Sequence, residues 1–206
     1  MRGFIHDRRG ASAAEFALVL PLLMLFLFGI IDVGRWMWTY NQAEKATQMG
    51  ARMAVVTQYV AGGLGGSYVG ASSLTQGDLI PSTAFGKVAC TNTSCSCAPP
   101  NGAPPCPPGG VGTYNTAAFT NVVDRMKLFL PQVSAANVEI EYSSSGLGYA
   151  GNPNGPDVSP LVTVKIGNPA TPLQFTPITS LLLTSLTMPS FTTTLTAEDL
   201  SGSQSN

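Results

Sequence analysis

Arg8-Arg9-Gly10-Ala11-Ser12-Ala13-Ala14-Glu15-Phe16, followed by Ala17-Leu18-Val19-Leu20-Pro21-Leu22-Leu23 and on to Ile31, decides how this chain folds. From Phe16 to Ile31 no residue is charged. Ala11 to Ile31 is 21 residues. At about 1.5 Å per residue a helix of that length crosses a bilayer core. Glu15 stands at the edge of the run, where an ionisable group is costly and therefore a functional candidate.

Working outward, the residues before the run are polar and basic (Arg2, Arg8, Arg9). A secretory signal peptide has a similar start but a shorter apolar core and a small-x-small cleavage site. Here the run is longer and exits through Asp32-Val33-Gly34-Arg35-Trp36-Met37-Trp38, with no such site beyond it. The run is therefore read as a retained anchor. Trp36, Trp38 and Tyr40 fall where an aromatic belt is expected. Basic residues before the run outnumber those after it only slightly, which mildly favours an N-terminus in the cytoplasm.

This stretch resembles the processing site of class III signal peptides, and most closely the TadE-like pseudopilins of tight-adherence (Tad/Flp) pili. The resemblance rests on Gly10, Glu15, Phe16, the segment Ala17–Leu23 and Gly29-Ile30-Ile31-Asp32-Val33-Gly34-Arg35. It implies that a prepilin peptidase cuts between Gly10 and Ala11. It also implies a mature protein that waits in the inner membrane with a periplasmic C-terminal domain, then joins or primes a pilus used in adhesion. The implied partners are the peptidase, other pilins or pseudopilins, the pilus assembly platform and the lipid bilayer. After such a cut Ala11 carries the free amine, four residues from Glu15. The carboxylate can then pair with a neighbouring subunit's amine, as the resemblance implies. It can pair instead with its own amine at i,i+4 near the positive helix end, or merely reach the interface.

The chain has 206 residues, of which 10% are charged, with 22 Gly and 16 Pro, so much of it is loop. Loss of residues 1–10 would remove three Arg and one Asp, leaving 7 basic and 10 acidic residues, a net charge of −3. Without a basic patch, nucleic acid is not an expected partner. His6 is the one histidine and belongs to the leader, so the mature chain has no Ser-His-Asp or Cys-His site. No enzyme activity, cofactor or metal is expected.

Cys90, Cys95, Cys97 and Cys106 lie in a Pro/Gly/Ser-rich stretch. Their spacing does not match a zinc finger, and an oxidising periplasm favours disulfides. A Cys95–Cys97 bridge is sterically poor. Two pairings stay open: 90–95 with 97–106, or 90–97 with 95–106. Each bridge is expected to add about 2–3 kcal/mol.

Residues 11 to about 60 read as one helix, kinked at Pro21, which lacks an amide. Beyond the run, Tyr40, Ala43, Thr47, Gly50 and Ala54 form a small-residue stripe at helical spacing. It is read as the face that meets the domain's own core, with packing against another subunit as the alternative. Residues 61–114 are expected to be loop-rich and stapled by the cysteines. A second helix is expected at about 116–130, capped by Asn115 or Thr116 and stopped by Pro131.

Alternation predicts three strands: Val138-Ile140-Tyr142, Val162-Val164-Ile166 and Phe191-Thr193-Leu195-Ala197. Glu139 and Glu141 fall on the solvated face. Residues 177–188 suggest a short apolar helix, and 201–206 a disordered tail. The fold class is α+β: a long N-terminal helix, membrane-spanning in its first half, packed on a small antiparallel sheet in a pilin-like way. An uncleaved, singly anchored periplasmic binding module and a type II secretion pseudopilin are the rival readings of function. An anchored hydrolase would need convergent carboxylates, which the sequence does not announce.

Overall fold

The computed structural model describes residues 8–97, 105–167, 170–180 and 184–197, with side chains from Ala13 onward except Ser72. The leader residues 1–7 and the tail 201–206 lie outside the described residues. The chain divides into two units. One comprises Met1–Tyr40 and Gln174–Thr187, the other Asn41–Leu173 and Met188–Asn206. Helix α1 runs from Arg8 to Val56 and contributes to both.

In the larger unit, a five-stranded antiparallel sheet is built from β1 (Val88–Cys90), β2 (Cys95–Cys97), β3 (Val138–Ser143), β4 (Leu161–Ile166) and β7 (Phe191–Thr196), in the order β2-β1-β3-β4-β7. Ile140 stands opposite Val164, and Val164 opposite Thr193. Helix α2 (Thr116–Lys127) begins at Asn115, whose side chain accepts the Ala118 amide at 3.1 Å. That bond satisfies one of the donors a helix start leaves free. Lys127 is its last residue, four before Pro131.

One face of the sheet carries Val138, Ile140, Tyr142, Val162, Val164 and Ile166, all buried. Phe119, Val122, Val123 and Met126 of α2 are buried in the same unit, as are Ala43, Ala46, Thr47, Gly50 and Ala54 of α1. Gly50 shows why the α1 face is made of small residues. A methyl group there would sit 2.7 Å from the Met126 side chain and 3.3 Å from Val164 Cγ1. The outer part of the long helix thus rests on α2 and the antiparallel sheet, and the stripe faces the unit's own core.

The structure departs from the sequence reading at five places. Helix α1 ends at Val56, about four residues early. Past it the backbone turns extended: Asn115 N–H donates to the Val60 carbonyl at 2.8 Å, and Ala61 bridges Tyr114. Gly62 and Gly63 then pass so close to residues 109–113 that a Cβ on Gly63 would lie 2.3 Å from the Gly110 carbonyl oxygen. These glycines make a backbone crossing.

Second, a hairpin of two three-residue strands, β1 and β2, lies within 61–114 and widens the sheet from three strands to five. Third, residues 177–188 hold no helix among those described. Turn residues 178–180 and a two-residue strand are there instead, described below; 181–183 lie outside the described residues.

Fourth, Glu141 is buried, not solvated. It pairs with Lys165 and, at 3.1 Å, with Lys87. Burial opposes its charge, but the two lysines outweigh that and hold its carboxyl below the ordinary value. The neighbouring Glu139 is pushed up, by burial first and then by Glu141. Fifth, Leu195 is exposed although it alternates with the buried Phe191 and Ala197, because β7 is an edge strand.

Candidate functional site

The apolar run builds an exposed cylinder. Phe16, Leu18, Leu22 and Phe26 are 66%, 80%, 70% and 69% exposed, although an apolar side chain in water gives up its transfer free energy. Ala13–Val56 is long and apolar enough to cross a membrane by length and composition. Gly10 and Ala11 are helical in backbone. Glu15 is helical and exposed, one turn beyond Ala11. Pro21 lies inside the helix and removes one hydrogen bond from its ladder.

From Ala13 onward the first buried side chain is an acid, Asp32. Its Oδ1 accepts the Ile178 amide at 2.7 Å. Its Oδ2 accepts the Thr179 amide at 2.9 Å and the Thr179 hydroxyl at 2.8 Å. Arg35, one turn on, donates to Oδ1 at 2.9 Å. A carboxylate taken out of water needs such a set of partners. With both oxygens occupied, Asp32 is a structural acceptor and not a free general base.

The partners come from a small hairpin in the same unit, β5 (Gln174–Phe175) and β6 (Leu186–Thr187), with Phe175 opposite Leu186. Arg35 also lies over the Phe175 ring, 5.3 Å from its centre, a favourable cation–π geometry. Gly29, Val33, Trp36, Phe175, Pro177 and Leu186 line an almost wholly apolar groove of about 340 Å³ that includes Asp32 and Thr179. Trp36 stacks at a tilt on Tyr40, with ring centres 5.7 Å apart.

Residues 10–52 match the family model described as TadE-like protein. The N-terminal segment is TadE-like. The match opens at Gly10, covers the exposed run and the Asp32–Arg35 exit, and stops within α1. No curated protein and no solved structure matches the chain significantly.

In the larger unit the four cysteines form two bridges, Cys90–Cys95 and Cys97–Cys106. The first closes the β1–β2 hairpin, whose register sets Cys90 opposite Cys95. A second concavity, of about 560 Å³, is lined by Gln58, Tyr59, Thr113, Tyr114, Asn115 and neighbouring residues, none of them charged. Among the described residues no three His, Cys, Asp or Glu gather as for a metal.

The role of Asp32 escaped the sequence reading. Its Arg35 partner is legible at i,i+3, but its partners at 178 and 179 lie 146 and 147 residues away. A short signal was present: Thr176-Pro177-Ile178-Thr179 is a turn-forming stretch with free amides in a charge-free region.

Proposed function

We propose that this chain is a minor pilin or pseudopilin of a tight-adherence pilus, cut after Gly10 by a prepilin peptidase and held in the inner membrane by Ala11–Ile31. Its larger unit faces the periplasm, contacts other pilus components and the assembly platform, and supports adhesion. Glu15 pairs with the Ala11 amine of a neighbouring subunit and sets the stagger. Pro21 kinks the helix between the two. The observation that supports this reading is the TadE-like match beginning at Gly10, on a helix whose apolar side chains are exposed among the described residues.

Photo-crosslinking from Leu18 and Phe26 in pilus-assembling cells tests it. Crosslinks to a pilin from both positions, lost in a Glu15→Gln chain that still inserts, are the expected result. A Glu15→Gln chain that assembles as well as the native one would remove the pairing. Crosslinks to lipid alone, during active assembly, would favour an anchored binding module.

A further inference from the structure

Asp32 lies one residue past the apolar run, so the residues it holds are fixed at the level where the span leaves the hydrocarbon. The groove beneath the β5–β6 hairpin is lined from Gly29, inside the run, to Trp36, one turn beyond Asp32. Seven residues of helix rise about 10 Å, which straddles the boundary between acyl chains and headgroups. Two side chains of this segment expose apolar surface, Ile178 at 51% and Leu186 at 47%, beside the uncharged polar Gln174, Thr176 and Thr187. From Ile166 to Ala197 the chain contains no charged residue. Leu186 of the hairpin and Val33 of the helix line the same groove, and Ile30 and Ile31 next to it in sequence are exposed.

We infer that the 174–187 hairpin is a second membrane contact, resting Ile178 and Leu186 in the interfacial layer of the leaflet that the span exits and pinned there by Asp32. An apolar segment at this depth gains burial without having to satisfy a full crossing. Arg35 completes the arrangement. It neutralises Asp32 and covers Phe175, while its half-exposed head reaches the headgroup zone, where such side chains settle. Asp32 is a positioning residue here, and the lipid-facing residues are Ile178 and Leu186.

The inference rests on reading Ala11–Ile31 as a membrane span, and the test separates the two. The full chain, carrying Trp36→Phe and Trp38→Phe, is reconstituted in phosphatidylcholine vesicles. Single tryptophans are placed by Ile178→Trp, Leu186→Trp, Leu22→Trp or Leu128→Trp. Phospholipids brominated near the headgroup end or near the chain end then quench by depth. Residues 178 and 186 are expected to be quenched by the shallow bromines, Leu22→Trp by the deep ones, and Leu128→Trp, on the exposed end of α2, by neither. Adding Asp32→Asn is expected to cost residue 178 its shallow quenching and leave Leu22→Trp unchanged.

Residues 178 and 186 behaving like Leu128→Trp, with Leu22→Trp quenched, would overturn the hairpin contact alone. Loss of quenching at Leu22→Trp as well would overturn the span and the hairpin contact together. A blue-shifted but unquenched residue 178 would assign the face to another protein surface and overturn the lipid assignment. Unchanged quenching in the Asp32→Asn chain would overturn the pinning role.

Discussion

The two halves of α1 answer different solvents with different residues. Between Phe16 and Ile31 the helix is apolar all round, with large side chains exposed on every face. Between Ala43 and Ala54 it narrows to Ala, Thr, Gly and Met on one buried face, with Glu44, Lys45 and Arg52 outward. An all-round apolar helix suits lipid or the core of an assembly, whereas a one-sided helix suits its own domain. The lesson is that continuity of a helix says nothing about continuity of its environment. The change falls at Asp32, the first buried side chain after Ala13.

The strongest way to break the comparison is to exchange the two chemistries. Ala46 is fully buried, so Ala46→Asp places an unpaired charge in the larger unit's core. It should cost on the order of 3–5 kcal/mol, read as early urea unfolding by tyrosine near-ultraviolet circular dichroism in detergent. The disulfides come next. Replacing Cys97 and Cys106 together by Ser should cost about 2–3 kcal/mol in the same assay. Gly50→Val should cost about 1–3 kcal/mol by overpacking against Met126 and Val164. Leu22→Ala, in the exposed half, should leave the larger unit's midpoint within about 0.5 kcal/mol of native. A large effect there would mean that the inner half is packed on the chain itself.

A pH titration sharpens the same contrast. Asp157, in the larger unit, is buried, which raises its carboxyl. The amides of Gly151, Tyr68 and Asn152 and the Ser67 hydroxyl outweigh this and leave it below the ordinary value. Its folded pKa is therefore lower than its unfolded one, near 3.9. The stability it adds is complete above the unfolded value and is lost as pH falls toward the folded one. Asp157→Asn should flatten that acid limb, measured as urea midpoint against pH. An unchanged limb would assign the acid sensitivity elsewhere, with Glu141 the next group to test.

What could be read from sequence follows the length of each pattern. Ala11–Ile31 was legible because a run of that length has few other uses. Strands β3 and β4 were legible because Val138-Ile140-Tyr142 and Val162-Val164-Ile166 alternate over full strand lengths. Strands β1 and β2 have three residues each and β5 and β6 two, too short for a period to show. The apolar segment 177–188 instead suggested a short helix. Glu141 alternates as a solvent-facing residue should, and only the placement of Lys87 and Lys165 across neighbouring chain segments reveals its pairing. The Asp32 bonds depend on chain that returns after more than 140 residues, and no local pattern encodes that return.

The account's central claim is that the exposed half of α1 is a processed pilin anchor. Intact mass and N-terminal sequence of the membrane-extracted protein, made with and without a prepilin peptidase, test it most directly. The account predicts a chain beginning at Ala11 only when the peptidase is present. A chain still beginning at Met1 under both conditions would contradict it and leave an uncleaved anchored module in its place.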